Sequence, residues 1–311
     1  MKIFPLALFS LFLLAGCSSE EDTPGGGSQA LVMKYPEPLA GIIAQAVDAD
    51  ELDDTQPKDD YVFRTQYMPN ERTPKSGWIK RIFEGKVTLL AEVKDGALNG
   101  RSIVFEQGGA KWKEFTLKNG NYEGTYTEFQ ADGSKKFECS YVDGKENGSW
   151  KHWHNNSLLA EERVYQDGQA SGPFALYHTN GNKAMEGAYQ AGERHGPFTK
   201  WHSNKIKEAE GTYKEGKLDG PFREWWDNGR QRKEANYKEG KLDGPYVGWF
   251  NIKQKMQEGV YEDGIKVGEW VSYWKKGRGA VKDRKTYRNG EVVNIVVPDQ
   301  DSSPTPGDKS P

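Results

Sequence analysis

The 311-residue chain is short of cysteine and histidine: it has two cysteines, Cys17 and Cys139, and five histidines. Two cysteines exclude a disulfide framework, and five scattered histidines leave little from which to build a closed zinc site, which needs four ligands. Only His152 and His154 share one face of a strand, with no cysteine or carboxylate placed to complete a metal site, so they read as solvated strand residues. Long aliphatic runs are missing too. The longest apolar stretch, Ile3 to Leu14, falls well short of the ~20 residues that span a bilayer as a helix. Mean hydropathy is −0.87, and much of the apolar mass sits in 10 Trp, 15 Tyr and 13 Phe, which argues against a thick aliphatic core. There is no Gly-x-Ser-x-Gly, no phosphate-binding loop and no paired-carboxylate motif. The chain therefore reads as a non-enzyme without a cofactor. Charge of one sign is absent as well. The whole chain carries −3, and residues 61–297 hold 39 Lys+Arg against 32 Asp+Glu, a balance of +7. Both signs are mixed along the chain, which excludes the basic stripe that nucleic-acid binding needs.

What the sequence does have is a 24-residue repeat that runs from Val93 to about Val297, in register through eight copies and with two extra residues in the last unit before Tyr287. With Val93, Leu117, Tyr141, Tyr165, Tyr189, Tyr213, Tyr237 and Tyr261 as slot 0, slots +3 and +7 are glycine in every copy. The clearest copies give Gly192 with Gly196, Gly216 with Gly220, and Gly240 with Gly244. Slot +12 is aromatic throughout: Phe105, Phe129, Trp153, Tyr177, Trp201, Trp225, Trp249 and Tyr273. Repetition at a fixed spacing marks a fold built by stacking units rather than by closing one core. The two glycines and the Lys-Leu-Asp-Gly wording between them predict a tight reversal. A second reversal is predicted at slots +15 and +16, from Asp132-Gly133, Asn180-Gly181 and Asn228-Gly229, the strongest short-range hairpin signal. Each unit is then one β-hairpin. Residues 69–92 read as a degenerate first unit, with Trp78 at slot +9 and Gly85 at slot +16. The expected fold is all-β: an elongated single-layer antiparallel meander of tandem hairpins, about eighteen strands and roughly 80 to 90 Å long at ~4.8 Å per strand.

A two-residue tip at slots +15 and +16 pairs slot +9 with slot +22. Slot +9 holds Tyr126, Phe174, Phe198, Phe222 and Tyr246, and slot +22 holds Cys139, Gly187, Gly211, Ala235 and Gly259, so a ring faces a small residue each time. Trp78 is expected opposite Ala91 by the same rule. One copy inverts the pair, Ser102 opposite Phe115, and another sets Trp150 against Arg163, where a guanidinium stacked on indole fits. Large rings over cross-strand glycines cover exposed backbone. Alternation then places slots 0, +9 and +22 on one face and slots +10, +12 and +21 on the other. The second face carries the candidate binding row Trp153, Tyr177, Trp201, Trp225, Trp249 and Tyr273 beside Glu162, Glu186, Glu210, Glu234 and Glu258.

This pattern resembles the MORN repeat in its short bacterial variant, whose consensus runs roughly Tyr-x-x-Gly-Lys-x-x-Gly-Pro-[Trp/Phe]-x-x-[Trp/Tyr]-x-x-x-Gly-x-x-x-x-Glu-Gly. The resemblance covers about two thirds of the chain and departs at Ser157, Lys205 and Lys253, which replace the slot +16 glycine, so different hairpin tips are expected there. It implies a repeat module for protein or lipid contacts. Proteins with this variant are often described as antitoxins, which implies a further reading as an immunity protein against an exported toxin. A third reading, drawn from the aromatic row, is glycan or cell-wall binding.

Ahead of the array, residues 1–16 have the shape of a signal peptide. Leu14-Ala15-Gly16-Cys17 resembles the bacterial lipobox, which implies that Cys17 is lipidated and that the chain is anchored in the cell envelope. Ser18 after Cys17 implies the outer membrane of a bacterium with two membranes. Cys139 is then a lone thiol that should be buried. Residues 17–60 read as an acidic linker, and Leu39, Ile42, Ile43, Ala46 and Val47 predict a short amphipathic helix near 38–49 that packs on the first hairpin and shields its edge. Residues 298–311 read as a disordered tail.

Overall fold

The computed structural model describes residues 39–48, 76–275 and 279–298. The signal peptide, Cys17, the acidic linker apart from 39–48, the start of the first unit and the tail from Asp299 lie outside the described residues.

Among the described residues, 23 strands form one sheet in which each strand lies beside its neighbours in sequence. All pairings are antiparallel except one. Helix α1 (Leu39–Gln45) leads into β1 (Val47–Asp48), which pairs in parallel with β2 (Ser76–Phe83), joining Val47 to Ile79 and Asp48 to Lys80. The helix thus ends four residues before the expected Ala49, and Val47 serves in a strand instead. Ala46 is buried, and Lys80 Nζ donates to the Ile43 carbonyl at 3.3 Å, so the start of the sheet is covered as expected. At the far end the sheet gains a strand beyond the nine expected hairpins, Glu291–Val296.

The turns differ from expectation in an instructive way. The reversal between units occupies slots +2 and +3 alone. Glu215 (φ 50°) and Gly216 (φ 75°) are both left-handed, the signature of a type I′ turn, and Lys217–Leu218 already pair as strand. Gly220, at slot +7, is therefore in no turn. It sits at φ 98° in a bulge where the Asp219 amide donates to the Thr212 carbonyl, and open space surrounds its Cα, so backbone conformation alone demands glycine.

The other tip is not a two-residue turn. Trp226 N–H donates to the Arg230 carbonyl and Gly229 N–H to the Trp226 carbonyl, which defines a three-residue tip with the glycine left-handed. Trp225 pairs with Gln231 and Glu224 with Lys233, so Arg232 is bulged out. The longer tip shifts the register by one residue and the bulge shifts it back. Slot +9 meets slot +22 as expected: Phe198 faces Gly211, Phe174 faces Gly187, Tyr126 faces Cys139, and Ser102 faces Phe115 with both nearly inaccessible. Arg163 lies 4.5 Å from the Trp150 ring.

The first hairpin shows what happens without that cancellation. Between β2 and β3 (Lys86–Lys94) the tip is a two-residue turn at Glu84-Gly85, yet a bulge remains at Thr88, opposite the step from Arg81 to Ile82. The register slips by one, and a one-residue slip exchanges the faces of a strand. Ile79, not Trp78, lies opposite Ala91 and is buried at 1% exposure, while Trp78 pairs with Glu92.

The tips at Ser157, Lys205 and Lys253 do not differ from the others. These residues take φ 62°, 70° and 62°, and Lys205 N–H donates to the His202 carbonyl at 2.9 Å as Gly229 does in its own unit. A left-handed side chain costs ~1–2 kcal/mol, offset in part by the ~0.5–1 kcal/mol of extra chain entropy that a glycine loses on folding. Lys205→Gly should therefore gain about 0.5–1 kcal/mol in denaturant unfolding. A loss of stability would show that the lysine side chain contributes contacts of its own.

The two faces are unlike. On the first, the slot +9 rings Phe174 and Phe198 are buried and touch the slot 0 tyrosines, with Phe174–Tyr189 at 4.9 Å and Phe198–Tyr213 at 4.7 Å. With Met185 and Ala209 they form a core one side chain thick. Farther back, Phe115, Leu117, Tyr126 and Cys139 form a matching cluster. Cys139 is buried as expected, and burial pushes its thiol up to about 12.

Candidate functional site

The second face carries the aromatic row. Trp153, Tyr177, Trp201, Trp225, Trp249 and Tyr273 all lie half-buried at slot +12, the last paired residue before each tip. The three-residue tip places slot +18 opposite, so Trp201 pairs with Lys207 and Trp249 with Lys255. Three slot +18 lysines reach toward the ring of the following unit: Lys135 lies 5.8 Å from Trp153, Lys183 5.9 Å from Trp201 and Lys207 5.4 Å from Trp225. The same lysines bridge to slot +21 glutamates, Lys183 to Glu186 and Lys207 to Glu210 at 2.7 Å each, and Lys255 to Glu258 at 2.5 Å.

The row's two tyrosines join this network differently. Tyr177 Oη donates to Glu162 at 2.6 Å, and Tyr273 donates to Glu258, each reaching back one unit. The bond to Glu162, followed by burial, pushes the Tyr177 hydroxyl up to about 12. Burial and then the bond to Glu258 do the same for Tyr273. Glu258 in turn is held below the usual carboxylate range by Lys255 and by the Tyr273 hydroxyl. The surface thus combines half-open rings with ion pairs at Lys183–Glu186, Lys207–Glu210 and Lys255–Glu258.

The hairpin tips carry a second ladder. His154, His178 and His202 all stand at slot +13, and each Nε2 bonds the slot +12 carbonyl of the next unit: Tyr177 at 3.0 Å, Trp201 at 2.8 Å and Trp225 at 3.1 Å. A carbonyl can only accept, so Nε2 carries the proton in all three. Asn156, Asn180 and Asn204 repeat the device through Nδ2, donating to the carbonyls of Thr179, Ser203 and Asp227 at 2.7, 3.0 and 2.8 Å. The repeat shows the three histidines as a column at slot +13, but their bonds cross from one unit to the next. His154 is occupied by its carbonyl, while His152 lies beside Trp150, 6.4 Å between rings. Burial lowers the His152 pKa. Among the described residues no group of three His, Cys, Asp or Glu is placed to hold a metal.

Between two successive tips the face dips into a shallow groove lined by Trp225, Asn228, Gly229, Arg230, Gln231, Trp249 and Lys253. It brings together two of the six row residues, with amide and cationic groups between them. The other four lie along the row and converge on no single point.

No family model matches the chain, and no curated protein matches it. Two solved structures are similar over part of their length. A crystal structure of TcdB2-TccC3-Cdc42 shares 10% identity with a TM-score of 0.18, over 69% of this chain and 14% of that one. A crystal structure of TcdB2-TccC3 shares 10% identity with a TM-score of 0.15, over 71% of this chain and 17% of that one. The chain spans less than a fifth of either, and neither likeness bears on its fold or function.

Proposed function

We propose that the chain is a non-catalytic interaction module of the bacterial cell envelope, a MORN-type repeat array held to the membrane by acyl chains on Cys17. Its working surface in this reading is the slot +12 face. The observation that carries the choice of face is the difference between the two. Phe174 and Phe198 at slot +9 are buried against the slot 0 tyrosines, whereas the six rings from Trp153 to Tyr273 at slot +12 all keep part of their surface open beside lysines and glutamates, although Phe222 and Tyr246 on the first face are half-open too. Amphipathic rings with adjacent polar groups are what recognition surfaces use.

A second reading, glycan binding, draws support from the groove between Trp225 and Trp249, where two indoles flank Asn228, Arg230, Gln231 and Lys253. Rings one unit apart recur at about 10 Å, two strand spacings, a period suited to an extended ligand. Capture experiments separate the readings. The full chain immobilised through its C-terminus should retain a ligand from solubilised envelope, and digestion of the captured material by protease or by glycosidase identifies its class. Capture of nothing above a control protein of similar charge would remove both.

A further inference from the structure

We propose that two copies of this chain join edge to edge through their last strands, Glu291–Val296, in an antiparallel pair that continues the sheet across a two-fold axis. The sheet has two ends, and they are treated differently. The first carries α1 and the two-residue β1, which pairs with Ile79 and Lys80. Among the described residues the last strand pairs only with Val281–Arg288, and its side chains are exposed, Val293 at 54% and Ile295 at 55%. An open edge is a template for another strand, and proteins usually blunt it with lysine, proline or a short strand. Here the run Val292-Val293-Asn294-Ile295-Val296-Val297 has neither a charge nor a proline and consists of β-branched residues around one asparagine.

The place of this strand in the repeat says what is missing. Tyr287, Asn289 and Gly290 occupy slots 0, +2 and +3 of one more unit, so Glu291–Val296 is the first strand of a hairpin. In every complete unit that strand gains an antiparallel partner on its far side from slot +7 onward, as Gly220–Trp225 does in Gln231–Lys238, and the matching place here begins at Asn294. The sequence that follows is poor in strand-forming residues. Asp299, Asp301, Pro304, Pro306, Asp308 and Pro311 bring charge and missing donors, and Pro298 itself has no N–H to give.

A second copy does supply one. A two-fold axis makes the partner strand antiparallel, the orientation the array uses everywhere, and such an interface is self-complementary by construction. Centred on Asn294, the pairing sets Val292 against Val296, Val293 against Ile295 and Glu291 against Val297, so β-branched side chains face each other and no like charges meet. Asn294 meets its own symmetry mate, where amide can bond amide. The ladder is short compared with the ~1,200–2,000 Å² of a stable interface, so the dimer is concentration-dependent, and anchoring both copies in one membrane would favour it by raising their effective concentration.

Substitutions at Asn294 test the pairing in both directions. The full chain, purified in detergent at several protein-to-micelle ratios, should sediment as a monomer–dimer equilibrium. Asn294→Lys, which sets two lysines across the axis, should shift that equilibrium at least tenfold toward monomer with an unchanged melting temperature. Asn294→Cys should form a disulfide dimer under mild oxidation, while Val292→Cys should not, and buried Cys139 should not compete. The proposal is overturned if the chain is monomeric throughout with no Asn294→Cys cross-link, if Asn294→Lys dimerises as well as the parent, or if Val292→Cys cross-links in preference.

Discussion

Gly211→Val should cost about 1–3 kcal/mol, the usual penalty for inserting atoms into a packed site. A Cβ at Gly211 would lie 3.1 Å from Phe198 Cε1 and 3.2 Å from Phe222 Cδ2, so it meets two rings from successive units at once. Neither ring is free to leave, since Phe198 rests on Tyr213 at 4.7 Å and Phe222 on Tyr237 at 5.4 Å. The corresponding change at Gly259 should cost more. There a Cβ would come within 2.3 Å of Trp270 Cδ2 and Cε2, and that indole is fixed by its Nε1 bond to the Val260 carbonyl at 3.1 Å and is only 3% exposed. In a stacked array each unit leans only on its neighbours, so the damage should be local. Denaturation should broaden rather than merely shift, with hydrogen exchange accelerated first in Lys207–Lys214 for the Gly211 variant. A Gly211→Val protein that unfolds like the parent would mean that Phe198 does not lie over that backbone.

Cys17→Ser should move the protein from the membrane fraction to the soluble fraction. The expectation rests on Leu14-Ala15-Gly16-Cys17, and its size follows from the chemistry of the anchor. Burial of an acyl chain contributes ~0.8 kcal/mol per CH₂, and stable attachment needs more than one chain, which a lipidated N-terminal cysteine would provide. Among the described residues no helix is long and apolar enough to cross a membrane and replace it. Fractionation with labelled fatty acid checks the point. If the serine variant stays with membranes and the parent chain takes up no label, the anchor does not exist and the envelope assignment falls with it.

The repeat made most of the sheet legible, because period, hairpin content and face are all properties of a column of residues rather than of one position. The +9/+22 pairing holds although the tip is longer than its spelling suggests. Asn228-Gly229 looks like a two-residue turn, but the structure uses three residues and then bulges Arg232, and the two displacements cancel. Nothing in the spelling of slot +19 marks a bulge, since any residue can take that conformation. The first unit exposes the difficulty: with a two-residue tip and the bulge retained, Ile79 took the buried place assigned to Trp78. Gly220 was misplaced for a related reason, because positive φ serves a bulge as well as a turn. At the candidate surface the six rings were visible as a row. The lysines that reach toward them and the histidines that clamp one tip to the next were not, because both contacts cross between units and depend on the true tip length.

Trp201→Ala, Trp225→Ala and Trp249→Ala, made singly, put the proposed working surface to its most direct test. The ring row is either a surface that binds or a ladder that holds the sheet, and the two roles separate when capture and melting temperature are measured on the same proteins. A binding row predicts that each variant, Trp225→Ala and Trp249→Ala above all, loses capture of the envelope ligand at least tenfold. Melting temperatures should stay close to the parent's, since these side chains are half-buried on a face that has no second layer. Lowered melting temperatures with capture intact would contradict the account and leave the slot +12 rings as structural members of the lysine–glutamate ladder.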